Sequence, residues 1–164
     1  MSDMEVRKLR KGEEIELWEL FYSTIHNVNI RDYNENQVEA WAPGDFDVSI
    51  AVQKFRDIDP FVVIRDAKII GYADIQPDGL IDHFYCHHEF QRQGVGSALF
   101  SAIEKEAIEN DISELYSNVS ITARPFFEAM EFSVAKEQVI KVRDQQLKNF
   151  RMVRCMTAAS SQST

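Results

Sequence analysis

The sequence predicts a single α/β domain, in which a mixed α+β sheet of six to seven strands is flanked by about four helices. Residues 14–28 carry apolar side chains at every third or fourth position, which is the period of a helix buried on one face. Residues 61–75 hold two runs of β-branched and aromatic side chains that predict a hairpin. A short apolar run, residues 80–86, leads through two glycines into a long amphipathic run, residues 97–110, which predicts a strand, a loop and a helix.

The first part of the chain is predicted as a strand followed by three helices. Residues 5–9 form the strand and residues 14–28 the first helix. This helix should bury one stripe of side chains: Ile15, Trp18, Tyr22 and Ile25, with Leu17, Phe21 and Val28 beside them. A short second helix over residues 36–41 ends at Ala42-Pro43-Gly44. Residues 45–56 fit a helix or a strand, and we favour the helix.

The polar segment before the second helix is predicted to be a loop over the functional site. Loops on a rigid scaffold commonly carry substrate contacts, and this region offers aromatic and hydrogen-bonding side chains. We therefore take Asn29, Tyr33 and Trp41 as candidate substrate-binding residues, with Arg31 nearby. The alternative is that the aromatic side chains only pack, because Trp and Tyr are often buried.

The rest of the chain continues the sheet. The hairpin strands are residues 61–65 and 69–75, and the turn Pro77-Asp78-Gly79 leads into a strand over residues 80–87. After the helix at 97–110, a strand over 114–117 should run parallel to its neighbour, because the connection between them contains that helix.

The C-terminal elements are predicted as one helix and two strands. The helix spans residues 122–130, with Thr122 as its N-cap and Pro125 in its first turn. The strands span residues 133–142 and 150–157 and are joined by a polar loop.

Length and charge bound the organisation and the partners. The 164 residues suit a single domain over residues 1–157, and the small, polar residues 158–164 should form a flexible tail.

The chain has 18 Lys and Arg against 27 Asp and Glu, a formal net charge of −9, which opposes binding to nucleic acid. Without a visible leader peptide or an apolar run of membrane-spanning length, we expect a cytoplasmic protein with no membrane partner. A homodimer is compatible with the sequence.

The two cysteines, Cys86 and Cys155, lie far apart in segments predicted as interior strands. They lack the spacing of metal ligands, so we expect two buried thiols.

We also expect no metal site at His83, His87 and His88, because we find no carboxylate or thiol at a sequence spacing that would complete a set of metal ligands with them.

The glycine loop is the strongest functional signal. It comprises seven residues: Gln91, Arg92, Gln93, Gly94, Val95, Gly96 and Ser97. A helix N-terminus with glycines before it binds anions, because its first N–H groups lack intrahelical partners. A dinucleotide fingerprint would need a third glycine where Leu99 stands, and a P-loop would need Lys-Ser or Lys-Thr after the glycines. The alternative is a tight strand-to-helix turn without a ligand.

Gln91 to Gly96 resembles the Gln/Arg-x-x-Gly-x-Gly/Ala loop of the GCN5-related N-acetyltransferases (GNAT), which holds the diphosphate of acetyl-coenzyme A. The resemblance implies the GNAT acyltransferase fold, a slot between diverging central strands and acetyl-coenzyme A as cosubstrate. It adds coenzyme contacts to those of the loop: Phe84, Tyr85, Cys86, Ser120 and Phe127. Arg92 is expected to add a charge-assisted contact to the phosphates, unless it is only a solvated surface arginine.

A second motif supports the resemblance, and it departs from the family at two positions. Residues 123–132 resemble the Ala-x-x-Phe-Tyr-Glu-x-x-Gly-Phe helix, but Phe127 replaces a frequent tyrosine and Glu131 a glycine. Ser120 stands where members often carry asparagine. Further segments, including Thr24-Ile25-His26-Asn27, resemble the bacterial YafP-like branch of the family.

The chemistry requires a base, because an alkylammonium with a pKa of roughly 10.4 must lose a proton before it attacks a thioester. Asp82 is the first candidate, since burial in an apolar strand would raise its pKa, and the alternative is a structural carboxylate. His83 is the second candidate and should face the opposite side of the strand. With Phe127 unable to donate a proton, Tyr85, Tyr116 or a water is left as the acid.

We therefore predict an N-acetyltransferase that moves an acetyl group from acetyl-coenzyme A directly to a primary amine of a small molecule or peptide. One alternative is an acyltransferase with another acyl donor or acceptor. The other is an acyl-coenzyme A-binding regulatory module without turnover, which Phe127, Glu131 and Ser120 suggest.

Overall fold

The computed structural model of the protein describes residues 3–156. The strands are β1 Glu5–Lys8, β2 Phe61–Arg65, β3 Lys68–Ala73, β4 Phe84–Cys86, β5 Glu114–Ser120, β6 Ser133–Val142 and β7 Gln145–Cys155. The helices are α1 Glu14–Asn27, α2 Glu35–Trp41, α3 Val48–Ile58, α4 Val95–Glu109 and α5 Arg124–Ala129, with short 3₁₀ turns at Asn29–Arg31 and His88–Phe90. The predicted tail and Thr157 lie outside the described residues. Within residues 3–156, no helix has the length and apolar character needed to cross a bilayer.

The strands form two antiparallel sheets with the orders β1-β2-β3-β4 and β5-β7-β6. An isolated parallel bridge between Leu80 and Tyr116 joins them. Its hydrogen bonds run from Ile81 N–H to the Tyr116 carbonyl (2.8 Å) and from Tyr116 N–H to the Gly79 carbonyl (3.0 Å). Beyond this bridge β4 and β5 belong to different sheets, so a gap opens between them, as the predicted parallel neighbour implies.

Helices cover both faces of the first sheet, because apolar side chains alternate along its central strands. On one face Val63 and Ile70 pack with Leu99 of α4 and with Phe127 of α5. On the other face a second cluster is formed by residues of α1, α2, α3 and the sheet: Leu17, Phe21, Ile25, Val38, Phe55, Val62 and Tyr72. The functional site lies where these layers meet the gap.

The predicted strand 80–87 is wrong in length, because only Phe84–Cys86 is regular. Asp74 N–H bonds the His83 carbonyl, and Gln76 N–H bonds the Leu80 carbonyl. Between these two bonds one residue, Ile75, faces two residues, Ile81 and Asp82, which is the count of a β-bulge. Because of the extra residue, the side chains of Asp82 and His83 no longer have to point to opposite faces of the sheet, as neighbours in a regular strand do.

Four further expectations need correction. The first helix buries Leu17, Phe21 and Ile25 as predicted, but it exposes 54% of Ile15 and leaves Trp18 and Tyr22 half-buried. Strand β7 begins at Gln145, because its polar first residues pair with β6 in a tight hairpin. Thr122 does not cap α5, whose N-cap is Ala123. Cys155 is exposed, whereas Cys86 is half-buried and burial raises the pKa of its thiol to about 12.

Candidate active site

The glycine loop ends at the N-terminus of α4 and is tied to the end of β4. The Gln91 side-chain amide donates to the carbonyls of Cys86 (2.7 Å) and His87 (3.3 Å). Gly94 is the N-cap with a left-handed φ of 86°, which glycine adopts at little cost. The hydrogen bond from Ala98 N–H to the Gly94 carbonyl (3.0 Å) is the first of the helix, so the N–H groups of Val95, Gly96 and Ser97 precede its ladder.

A cavity of 430 Å³, which we call the loop cavity, lies between this loop and the gap in the sheet. Ten of the predicted coenzyme contacts are in its wall: Phe84, Tyr85, Cys86, Gln91, Arg92, Gly94, Val95, Gly96, Ser97 and Phe127. β4 is the edge strand here, and an edge strand presents unpaired backbone groups along its outer side. Gln93 and Ser120 are predicted contacts that do not line this cavity. The Gln93 side chain instead accepts a hydrogen bond from Arg65 (3.0 Å).

The loop cavity also contains residues that were not predicted. Val28, Phe90, Thr122, Ala123 and Phe126 line it, together with Asn29, which was predicted as a substrate contact. The Thr122 hydroxyl oxygen is buried and has no hydrogen-bond partner among residues 3–156. A buried hydroxyl without a partner is costly, so this atom suits the amide groups of an extended ligand in the cavity.

A second cavity, of 280 Å³, lies on the other side of β4, and we call it the polar cavity. Its wall holds polar and apolar side chains: Phe21, Tyr33, Trp41, Asp82, His83, Tyr85, Asn118, Ser120, Ile140, Val142, Leu147 and Asn149. Tyr85 is the residue that this wall shares with the loop cavity. Burial raises the pKa of the Tyr85 phenol well above its usual range, so the hydroxyl keeps its proton.

Asp82 and His83 both line the polar cavity, contrary to the expectation that they face opposite sides of a strand. The bulge explains this difference. Asp82 is exposed instead of buried, and its Oδ2 lies 2.6 Å from Nζ of Lys54. The burial on which its predicted role as a base rested is therefore absent.

His83 sits among aromatic rings and is held at both ends. Its Nδ1 lies 2.9 Å from the Tyr72 hydroxyl, and its backbone N–H donates to Oδ1 of Asp74 (2.6 Å). Rings of Phe21, Phe55, Tyr72 and Tyr85 surround the imidazole. Burial lowers the pKa of His83 to about 4, so the ring is neutral at neutral pH.

Asp74 is the buried carboxylate of this region, and the sequence reasoning missed it. It is fully buried, and its carboxylate accepts hydrogen bonds from His83 and from the Gln76 side chain (2.7 Å). Burial raises the pKa of Asp74 to about 6. The signal was an aspartate between Ala73 and Ile75 at the end of the predicted strand 69–75.

The predicted substrate residues have different positions. Tyr33 is buried, and its hydroxyl donates to the Lys148 carbonyl and accepts from Ile121 N–H (3.0 Å). It therefore joins α2 to β7, as the packing alternative proposed, although its ring lines the polar cavity. Trp41 is half-buried and also lines a third cavity of 220 Å³, which we call the aromatic cavity. The side-chain amide of Asn29 donates to the Ser120 hydroxyl (3.4 Å).

Two remaining predictions concern residues away from these cavities. Tyr116, an alternative acid, is half-buried and lines none of these three cavities, and its hydroxyl donates to Asp78. His87, His88 and Glu89 bring three potential ligand atoms within 4.8 Å of one another, so Glu89 supplies a carboxylate that the spacing argument did not count. His87 Nδ1 already accepts from Glu89 N–H (3.0 Å), and burial and the Lys68 charge lower the His87 pKa.

Comparisons with known proteins agree on one family. The family model described as Acetyltransferase (GNAT) domain matches residues 29–152. The Uncharacterized N-acetyltransferase YafP of Escherichia coli (strain K12) is 30% identical over 152 residues, which are 93% of this chain and 96% of the relative.

Solved structures agree in fold. A GCN5-related N-acetyltransferase from Rhodopseudomonas palustris has a TM-score of 0.88 at 24% identity, covering 94% of this chain and 97% of the other. The PaiA N-acetyltransferase from Thermoplasma acidophilum, solved in complex with coenzyme A, has a TM-score of 0.67 at 16% identity, covering 93% and 99%.

Proposed function

We propose that this chain, which belongs to the GNAT family of acetyltransferases, transfers an acetyl group from acetyl-coenzyme A directly to a primary amine. The observation that supports direct transfer is the position of Tyr85, which lines both the loop cavity and the polar cavity. Two substrates bound on either side of Tyr85 would place their reacting groups next to each other. Such proximity supplies a large part of catalysis in two-substrate reactions.

The residues of the loop cavity fit the coenzyme. The N–H groups of Val95, Gly96 and Ser97 would hold the diphosphate at the positive end of the α4 dipole. The outer edge of β4 and the Thr122 hydroxyl would bond the amides of the pantetheine arm. Acetyl-coenzyme A supplies the activated acetyl group as a thioester, and this chain supplies position and proton transfer.

We assign the acid to Tyr85 and the base to His83. Tyr85 keeps its proton at neutral pH and is part of the wall of the loop cavity, where the thiolate would leave, whereas the Phe127 ring has no acidic proton. His83 is neutral, and with Nδ1–H donating to the Tyr72 hydroxyl its Nε2 would be free to accept a proton. Because a pKa of about 4 is too low to deprotonate a free ammonium, this transfer would occur as the neutral amine attacks and its new C–N bond forms. Asp82 would draw the ammonium form of the acceptor into the cavity in competition with Lys54.

The test is a thiol-release assay with acetyl-coenzyme A and a panel of primary amines, with the product identified by mass spectrometry. We expect free coenzyme A and a product that carries one added acetyl group. Tight coenzyme binding without thiol release across the panel would favour the regulatory module. Replacement of His83 by Gln should lower kcat and flatten the acid limb of the pH profile, and an unchanged profile would return the base role to Asp82.

A further inference from the structure

We infer that the acceptor is a compact monoamine with a flat aromatic body, and that peptides and polyamines are poor acceptors. This inference rests on the proposed acetyl transfer and names the class of substrate that the same site takes. The evidence for this inference comes from the residues that line the polar and aromatic cavities.

The polar cavity is small and its walls are tied together. The Tyr33 hydroxyl donates to the Lys148 carbonyl, and the Gln37 side-chain amide donates to the Gln146 carbonyl (2.8 Å). The Arg143 guanidinium donates to the Ala40 carbonyl. These three bonds fix the α2 side of the cavity to the β6–β7 hairpin. A volume of 280 Å³ between joined walls suits a small molecule, whereas a peptide needs an open groove.

The apolar part of the site is aromatic. Phe21, Trp41 and His83 line both the polar and the aromatic cavity. The aromatic cavity adds the stacked rings of Trp18 and Phe46, whose centroids lie 4.9 Å apart at 23°. Aromatic walls prefer a flat ring that can stack or meet them edge to face.

The charges argue against a polyamine. Lys54 lines the aromatic cavity, and its ammonium bonds Asp82 at 2.6 Å. Among the residues that the structure describes, the walls of the polar and aromatic cavities together hold one carboxylate, that of Asp82 in the polar cavity. A first ammonium group would share the Asp82 carboxylate with Lys54, whereas a second would find no carboxylate in these walls and would be repelled by Lys54.

A hydrogen-bond acceptor without a partner indicates where the amino group of the substrate would bind. Asn149 is 7% exposed and lines the polar cavity, and its buried Oδ1 has no hydrogen-bond partner within residues 3–156. An amide oxygen accepts hydrogen bonds and cannot donate them. A substrate N–H group would satisfy it, and leaving it unpaired is costly.

The test compares 2-phenylethylamine, 2-cyclohexylethylamine, putrescine and a short lysine peptide in the thiol-release assay. We expect kcat/KM for 2-phenylethylamine to exceed that for putrescine and the peptide by at least about tenfold, and that for the cyclohexyl analogue by several-fold. A preference for putrescine or the peptide would overturn the inference. Thiol release with another primary amine of the panel but with none of these four would overturn the inference and leave the proposed acetyl transfer standing.

Binding has its own readout, because both tryptophans of the chain, Trp18 and Trp41, line the aromatic cavity. Titration with 2-phenylethylamine should change tryptophan fluorescence saturably, and putrescine should not at the same concentrations. An equal response to both amines, or to neither, contradicts the assignment.

Lys54 offers a selectivity test that does not depend on absolute activity. Replacement of Lys54 by Met removes the cation, so the ratio of kcat/KM for putrescine to that for 2-phenylethylamine should rise about tenfold. Replacement of Lys105 by Met, on the exposed face of α4, is the matched control and should leave the ratio unchanged. An unchanged ratio in the Lys54 variant would show that this charge does not select the acceptor.

Discussion

At the scale of single residues, function depends on a few side chains whose surroundings determine their protonation. Tyr85 and His83 lie side by side in a T-shaped ring contact, and burial shifts their pKa values in opposite directions. As a result the phenol stays protonated and the imidazole stays neutral at neutral pH. One group can give a proton while its neighbour can receive one.

Replacement of Tyr85 by Phe should therefore lower kcat by about 100-fold, because general acid catalysis contributes on that order. The coenzyme dissociation constant should hardly change, since the ring remains in the cavity wall. Single-turnover thiol release and a coenzyme titration measure the two quantities. Replacement of Tyr116 by Phe, outside the three cavities, is the control, and equal effects of both changes would remove Tyr85 from the chemistry.

Asp74 and His83 should make opposite contributions to the pH dependence of stability. Burial raises the Asp74 pKa from 3.8 to about 6, so its contribution is present below pH 3.8 and is lost as the pH rises through 6. This shift corresponds to about 3 kcal/mol at most. The lowered His83 pKa acts in the opposite sense, because its contribution is present above pH 6.5 and is lost as the pH falls through 4.

Replacement of Asp74 by Asn should leave only the His83 effect of this pair. The free energy of unfolding of the variant should then rise with pH between 4 and 6.5 more steeply than that of the unchanged protein. Urea unfolding followed by tryptophan fluorescence at several pH values measures this slope. Parallel pH curves for the two proteins would contradict the assignment.

At the scale of elements, the parts with strong local signals were predictable. The period of 3.6 residues predicted α1 and α4, and the β-branched runs predicted the β2–β3 hairpin. The bulge before β4 was not predictable, because it depends on the partner strand and on the Asp74 carboxylate. Tyr33 shows the same limit. A tyrosine in a polar loop gave no sign that its hydroxyl would bond both β7 and the residue that follows β5.

Replacement of Tyr33 by Phe tests that structural role. The change leaves the Lys148 carbonyl and the Ile121 N–H without their partner, so stability should fall by about 2 kcal/mol. Thermal unfolding measures the loss, with Tyr22→Phe in α1 as the control. A variant of unchanged stability that fails to turn over would restore Tyr33 as a substrate contact.

Gly96 tests how closely α4 and α5 pack at the site. A Cβ at this position would lie 2.8 Å from the Phe126 ring. Gly96→Ala should therefore cost about 1–2 kcal/mol of stability and weaken coenzyme binding. Gly44→Ala is the control, because its nearest contact would be an ordinary 3.5 Å. Equal stability of the two variants would indicate that Phe126 moves aside freely.

At the scale of the whole molecule, net charge acts on the two substrates in opposite directions. A formal charge of −9 attracts a cationic amine and repels the anionic coenzyme over distances that salt screens. When the salt concentration rises from about 0.05 to about 0.5 M, kcat/KM should fall for the amine and rise for acetyl-coenzyme A, each by a few-fold. Initial rates at limiting concentration of each substrate measure this. Changes in the same direction would mean that local charges dominate.

The chain fold and the glycine loop could be inferred from sequence, because residues 91–97 are contiguous and most of them line the loop cavity. The polar cavity could not, because its wall is assembled from α1, α2, β4, β5 and the β6–β7 hairpin. Asn149 illustrates the difference. It sits in a segment predicted as a polar loop, and only the pairing of β7 with β5 and β6 brings it to the site.

The Leu80–Tyr116 bridge has a mechanical consequence. Within residues 3–156, the two sheets meet at this single backbone bridge, which the hydrogen bond from the Ser117 hydroxyl to the Ile81 carbonyl (2.7 Å) reinforces. Because the junction is so short, it can serve as a pivot for a small tilt between the sheets. We expect bulky side chains beside the gap between β4 and β5 to limit its width, such as Phe84 and Phe127, whose rings meet edge to face. Trimming one of these rings would widen the gap for longer acyl chains while the architecture stays intact.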